Sequence, residues 1–239
     1  MKIWLKTTLT IAVLGLAACQ STPTAGLGSG DLARNQRTVL AQIASQPQQA
    51  DLYFDADGQY HSAPVAGGYY RKVLGQTAGG GWVVQDFYQD SKTKQIDPGV
   101  VFHPNGLRNF STDVVDGAVI WYRPDGTLSQ SAHYQRGKLD GWVMYYDEQS
   151  RARLAAEFVD DTASGKQKAF NEQGRLVMQV SVDDQKQIKQ EFWYGNGKPA
   201  GIWTEGKLEG WDEQGKPLTE AQTAHLLNYL ESRLYQPAE

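Results

Sequence analysis

Apolar positions along this chain change period twice after an apolar N-terminal stretch. Leu32, Val39, Leu40 and Ile43 recur at loose helical spacing behind Asp31, which is placed to cap a helix, and Pro47 closes the segment. A short helix is therefore predicted over residues 31–46. From Asp51 onward short apolar or aromatic runs are divided by turns: Asp55-Ala56-Asp57-Gly58, Pro104-Asn105-Gly106, Arg123-Pro124-Asp125-Gly126, Asn171-Glu172-Gln173-Gly174, Tyr194-Gly195-Asn196-Gly197 and Asp212-Glu213-Gln214-Gly215. Asn-Gly and Asp-Gly supply the positive φ of tight hairpins, so this region is predicted to be antiparallel β. Helical spacing returns in Leu226, Leu227, Leu230 and Leu234, behind Thr219 and Gln222 at capping-box spacing. The predicted fold is mainly β: an antiparallel meander of repeated hairpins with short N- and C-terminal helices.

The meander repeats itself. Gly117, Gly141 and Gly165 lie 24 residues apart, with Lys189 at the next step. Five residues after each come Tyr122, Tyr146, Phe170 and Tyr194, and 17 residues after the first three come Tyr134, Phe158 and Val182. Gly137-Lys138-Leu139-Asp140-Gly141-Trp142 is echoed by Gly206-Lys207-Leu208-Glu209-Gly210-Trp211, 69 residues on, so the fourth unit carries a small deletion. Alternation along a strand sends neighbours to opposite faces. On this numbering Trp121, Tyr145 and Trp193 share the fourth position after the opening residue and form a candidate binding face. The competing reading is that such rings merely hold a thin sheet together.

The pattern Gly-x-x-x-Trp/Tyr-Tyr, a glycine turn with Leu, then Tyr, then Gly-Lys-Leu-Asp-Gly-Trp resembles MORN-like repeats. The likeness covers residues 99–217 and is nearest the variant in YwqK-type antitoxin-like proteins and in assorted lipoproteins. Lys166, Gln167 and Lys168 depart from it, as does Lys189 in place of glycine. Residues 51–98 are read as a lead-in β region and residues 218–235 as the C-terminal helix.

The N-terminus bears on location. Lys2 and Lys6 precede an apolar core from Leu9 to Leu16, a layout that reads as an export signal over residues 1–18, too short for a membrane span. Leu16-Ala17-Ala18-Cys19 resembles the lipobox of bacterial lipoproteins. That resemblance implies lipidation of Cys19, such as palmitate, and a membrane held through that lipid. With Gln20 after the cysteine, the same resemblance implies sorting to the outer membrane of a Gram-negative cell, facing the periplasm. Residues 19–30, rich in Ser, Thr, Gly and Pro, read as a tether spanning roughly 35 Å when extended. Losing Lys2 and Lys6 leaves two fewer than the 23 basic residues against 27 acidic ones. A mildly acidic mature chain gives no electrostatic reason to bind nucleic acid. Cys19 is the single cysteine, so packing and backbone pairing must hold the fold without a disulfide.

No catalytic set emerges. His61, His103, His133 and His225 share no ligand spacing and are expected at surfaces or turns. Asp55-Ala56-Asp57-Gly58 resembles the start of a calcium loop, but Val65 to Gly68 carries no closing acid, so a hairpin turn is expected. Asp160 with Asp161, and Asp183 with Asp184, fall at turn positions and read as solvated acids. Gly79-Gly80-Gly81 precedes a strand and lacks the Lys-Ser/Thr of a phosphate loop. Ser111, Ser129 and Ser131 lack a nucleophile-elbow setting. The expectation is a non-enzyme without metal or cofactor, presenting a β surface to a protein or another envelope component. The alternative is an antitoxin or immunity protein that neutralises a toxin.

Overall fold

The computed structural model describes residues 29–103 and 105–234; Cys19 and the predicted signal lie outside them. It divides into two compact units, one within residues 25–164 and one within 165–239.

The first unit opens with α1 (Ser29–Leu40). The helix ends six residues before the predicted limit at residue 46, as the Gln42 amide turns back to the Val39 carbonyl. Ile43, counted in the helical stripe, instead begins β1 (Ile43–Ser45). It pairs with Thr77, and its side chain fills the space over Gly75, where a Cβ would stand 2.4 Å from Ile43 Cγ2. Val39 packs on Val83 and Val100 with Ile43 and Leu74 beside it, which fixes α1 on the sheet.

The strands that follow are β2 (Leu52–Phe54), β3 (Tyr60–His61), β4 (Tyr69–Thr77), β5 (Trp82–Tyr88), β6 (Gly99–Val101), β7 (Val115–Tyr122), β8 (Leu128–Gln135), β9 (Lys138–Leu139), β10 (Gly141–Tyr146) and β11 (Ala152–Val159). They lie in the order β11-β10-β8-β7-β6-β5-β4-β2-β3, with β9 also on β8, and every pairing is antiparallel. The lead-in strands thus belong to the same ladder as the first repeats, joined through β6.

Two buried polar clusters secure that junction. Arg71 on β4 stands opposite Asp86 on β5, and its Nε and Nη2 each donate to one carboxylate oxygen at 2.7 Å. Both side chains are 4% exposed. The remaining guanidinium nitrogen donates to the carbonyls of Leu107 and Asn109, and the Phe54 and Phe110 rings lie 5.3 and 5.4 Å away. A buried pair cut in half costs several kcal/mol, so this fork ties the 107–109 segment to the sheet. Nearby, buried Asp97 accepts from Lys94 Nζ at 2.7 Å and from the Tyr122 hydroxyl at 3.0 Å. Burial pushes the Tyr122 phenol above its ordinary pKa, which keeps it a donor.

Turns set the register. At Asp55–Gln59, Arg123–Thr127 and Asp147–Arg151 the first amide meets the fifth carbonyl, and the fourth amide turns back to the first carbonyl. The fourth residue is left-handed each time: Gly58 at φ 81°, Gly126 at 88° and Ser150 at 62°. This three-residue loop with its bulge replaces the two-residue turn implied by Asp-Gly alone. The side chain of Asp55 or Asp147 accepts two backbone amides of its own loop at 2.9–3.0 Å. Asp55 is a hairpin residue, as expected, and also binds His61 at 2.8 Å. Asn105-Gly106 differs from the prediction: Gly106 begins a short 3-10 turn, and it is glycine because a Cβ would meet Val101 Cγ1 at 2.7 Å.

The alternate connections are two-residue turns with both residues left-handed, Arg136-Gly137 and Asp160-Asp161. Aspartate tolerates that conformation better than most residues. Asp161 also accepts from the Leu139 amide at 2.8 Å, and Asp160 from Lys138 Nζ at 3.0 Å. Opening glycines Gly117 and Gly141 lie opposite Tyr134 and Phe158, 17 residues downstream, and adopt positive φ values of 89° and 119° that favour glycine. The 24-residue echo is this cross-strand pair.

The second unit is ordered β12-β13-β14-β15-β16: β12 (Thr162–Phe170), β13 (Leu176–Val182), β14 (Ile188–Trp193), β15 (Pro199–Thr204) and β16 (Lys207–Gly210). Loops of the same three-residue kind recur at Asn171–Arg175, Asp183–Gln187, Tyr194–Lys198 and Asp212–Lys216. α2 (Glu220–Leu234) begins with the predicted capping box: the Thr219 amide donates to Gln222 Oε1 at 3.0 Å, and the Gln222 amide to Thr219 Oγ1 at 3.3 Å. Its buried residues are Thr223 and Leu227. They sit on Gly201 and Gly210, which face each other across β15 and β16; a Cβ would lie 2.8 Å from Leu227 and 2.5 Å from Thr223.

Two outcomes follow for stability. Gly210→Ala should destabilise by about 1–3 kcal/mol through overpacking, and Thr223→Ala in that background should recover part of the loss, read by chemical denaturation. Asp147 is held below the ordinary carboxylate pKa: burial opposes this, but its bonds from Arg151 and Gln149 outweigh it. The stabilisation it contributes is therefore present above its unfolded value of 3.8 and disappears as pH falls through the lower folded value. Asp147→Asn, which copies Asn171, should cost under about 1 kcal/mol near pH 7 and reduce the stability lost on acidification; Asp147→Ala should cost about 1–2 kcal/mol.

Candidate functional site

The last two hairpins hold a groove of about 450 Å³ in the second unit. Its floor comes from direct cross-strand neighbours on β14 and β15: Trp193 opposite Pro199, and Glu191 opposite Ile202. Trp211, just past β16, forms a wall, and the turn residues Lys198, Asp212 and Gln214 supply a polar rim. Trp211 is clamped at both ends of its backbone. Its amide donates to the Ala200 carbonyl at 3.0 Å, and its carbonyl accepts from the Tyr194 hydroxyl at 2.7 Å. Burial and the nearby acids Glu213 and Asp212 raise the Tyr194 phenol, so it stays a donor.

The charges around the groove are largely engaged. Glu191 pairs with Lys189 at 2.6 Å. Lys198 Nζ donates to the Glu213 carbonyl at 2.7 Å, and Asp212 Oδ1 accepts the amides of Gln214 and Lys216. Among the described residues neither the Trp193 nor the Trp211 indole N–H has a hydrogen-bond partner. The groove therefore offers flat apolar rings, two open donors and carboxylate oxygens at its margin.

The structure places the three predicted aromatic residues differently. Trp121 and Tyr145 both lie opposite Gln130, on the same face of the first unit. Trp121 belongs to packing there: it joins Ile96, Val119, Ala132, Tyr134 and Val143, and meets the Tyr134 ring edge-on at 6.2 Å. Tyr145 is 39% exposed. Trp193 is not in their register. The turns after each first strand begin at Arg123, Asp147, Asn171 and Tyr194, so the fourth spacing is 23 residues where the others are 24. Ile188, not Lys189, is the structural start of the fourth unit. Trp193, opposite Pro199, thus matches Tyr122, Tyr146 and Phe170, each six residues before its own partner. Those three are 5%, 5% and 3% exposed, whereas the fourth ring is left half-open.

Sequence reasoning missed Trp211, Pro199 and Ile202. The echo ending in Trp211 was the available signal; the pairing that carries Pro199 and Ile202 to Trp193 and Glu191 appears only once the turn is known. The four histidines are all exposed, and the acids at 160–161 and 183–184 lie in turns. Among the described residues no group of three or more His, Cys, Asp or Glu side chains is arranged to hold a metal ion. Among them also, no helix is long and apolar enough to cross a membrane.

The two units give tryptophan different roles, with a measurable contrast. Trp121→Ser should lower stability by about 3–5 kcal/mol, while Trp193→Ser should cost about 1–2 kcal/mol, compared by denaturant midpoints.

No family model matches the sequence, and no curated protein is similar to it. Among solved structures it is similar to S. aureus TarM, at 13% and 14% identity over 50% and 51% of this chain, with TM-scores of 0.28 and 0.29. It is also similar to a chain of a GtfA/B complex bound to UDP and GlcNAc, at 10% identity over 82% of this chain, with a TM-score of 0.19. The chain spans 22% of the length of TarM and 32% of that GtfA/B chain.

Proposed function

We propose that this chain is a non-catalytic, lipid-anchored envelope protein whose MORN-like hairpin repeats present a binding surface, with the Trp193–Trp211 groove as its site. The observation that carries the reading is the uncovered ring at Trp193. The same repeat position is sealed in three earlier units, and the fourth leaves it facing a clamped second indole. Aromatic side chains with one wet edge are favoured in recognition surfaces. The carboxylates around the groove are tied to turns and to Lys189, which suits a site that holds a ligand without reacting with it. The lipobox at Leu16–Cys19 supplies the anchor, in the outer membrane and facing the periplasm, and the polar tether gives the folded part reach from it.

The anchor and the surface separate experimentally. Cys19→Ala should move the protein from the membrane fraction to the soluble periplasmic fraction while its circular dichroism stays unchanged. Crosslinking in intact cells should trap an envelope component on the wild type, with capture reduced at least about fivefold in Trp193→Ala with Trp211→Ala. Membrane retention of the Cys19→Ala protein, or capture indifferent to both tryptophans, would falsify the reading.

A further inference from the structure

The groups still free in the groove select its ligand. The floor offers few backbone partners: β14 is paired on both sides by β13 and β15, β15 by β14 and β16, and Trp211 has both its amide and its carbonyl engaged. An extended peptide laid there would bring backbone donors and acceptors that find no ladder to join. The lining's one cation, Lys198, is held by the Glu213 carbonyl, and Glu191 is neutralised by Lys189, so a strongly charged polymer meets no complementary field. What remains is two indole faces, two indole N–H donors, the outer oxygens of Glu191 and Asp212, and the exposed amide of Gln214. On the same face, two cross-strand pairs beyond Glu191 and Ile202, the Thr204 hydroxyl is buried with no partner among the described residues.

We propose that the groove binds a neutral carbohydrate, with sugar rings stacked on Trp193 and Trp211. A sugar has an apolar C–H face to lay on an indole and a rim of hydroxyls that both donate and accept. Its hydroxyls donate to Glu191 and Asp212 and accept from the indole N–H groups and Gln214. The volume of about 450 Å³ lies within the small-ligand range and suits a short oligosaccharide segment. This assignment rests on reading the groove as the binding site, and names the chemistry of what fills it.

The test uses the full lipidated protein in a detergent without a sugar headgroup, titrated calorimetrically with cellotetraose, maltotetraose, chitotetraose and decaproline. At least one tetrasaccharide should bind. Trp193→Ala and Trp211→Ala should each weaken that binding about tenfold or more, while Tyr229→Ala, on the exposed side of α2, should leave it unchanged. Trp193→Phe and Trp211→Phe keep a ring in place and lose the N–H. They should weaken binding by about two- to fivefold, and they serve if the alanine variants fail to fold. Absence of binding by all three sugars overturns the assignment, as does sugar binding indifferent to both tryptophans. Decaproline binding that depends on the same tryptophans would replace sugar by a proline-rich segment. If no sugar binds yet cellular crosslinking through the groove persists, the carbohydrate assignment falls and the wider binding reading stands.

Discussion

Hairpin register governs this protein, because side chains alternate with a period of two and a slip of one residue exchanges the faces of a strand. Each three-residue loop fixes its register by placing the fourth residue in the left-handed region. The side chains of Asp55, Asp147, Asn171, Asp183 and Asp212 reinforce it by holding two amides of their own loops. With a constant 24-residue spacing the ring before each turn is covered. A single residue fewer between Asn171 and Tyr194 brings a tryptophan to that position, where it lies open beside Trp211. The candidate site and the fold are thus consequences of the same spacing rule.

Burial of polar groups supplies the second layer of organisation. Arg71 is the one arginine in the first unit that is almost fully enclosed, and it is used as a bracket: a fork on Asp86, two carbonyls of the 107–109 segment, and two aromatic rings. Lys94 plays a smaller version of that part against Asp97, lying 3.8 Å from the Tyr122 ring centre. Burial works against its charge, but the bonds to Asp97 and Tyr122 raise its pKa overall. Without disulfides, such brackets hold irregular connections to a sheet whose own hydrogen bonds cannot reach them.

Much of this was legible from residues alone where a local rule carries the information. The capping box at Thr219 and Gln222, the meander, and the repeat of Gly117 and Gly141 all rest on short-range chemistry. Turns closed by Ser150 and Lys186 were invisible, because their left-handed residues lack the glycine that advertises the conformation. Ile43 deceived for a related reason: its spacing fits a helix, yet a glycine far along the chain, Gly75, makes room for it as a strand. Arg71 with Asp86, and Trp193 with Trp211, depend on cross-strand neighbours that no linear spacing specifies. The one-residue shortening before Tyr194 is present in the sequence, but matching Lys189 to the opening glycine places it later in the unit than the turns do.

The glycine pair under α2 has a bearing on how such an array lengthens. A generic hairpin has side chains where Gly201 and Gly210 have none, so the helix cannot dock on a copied interior unit without losing its seat. Gene duplication can therefore add hairpins upstream at little cost, while the final hairpin and its helix must be inherited together as a dedicated terminus. Trp193 lies one strand from that glycine pair, so the open ring and the helix seat share β15 as a common partner.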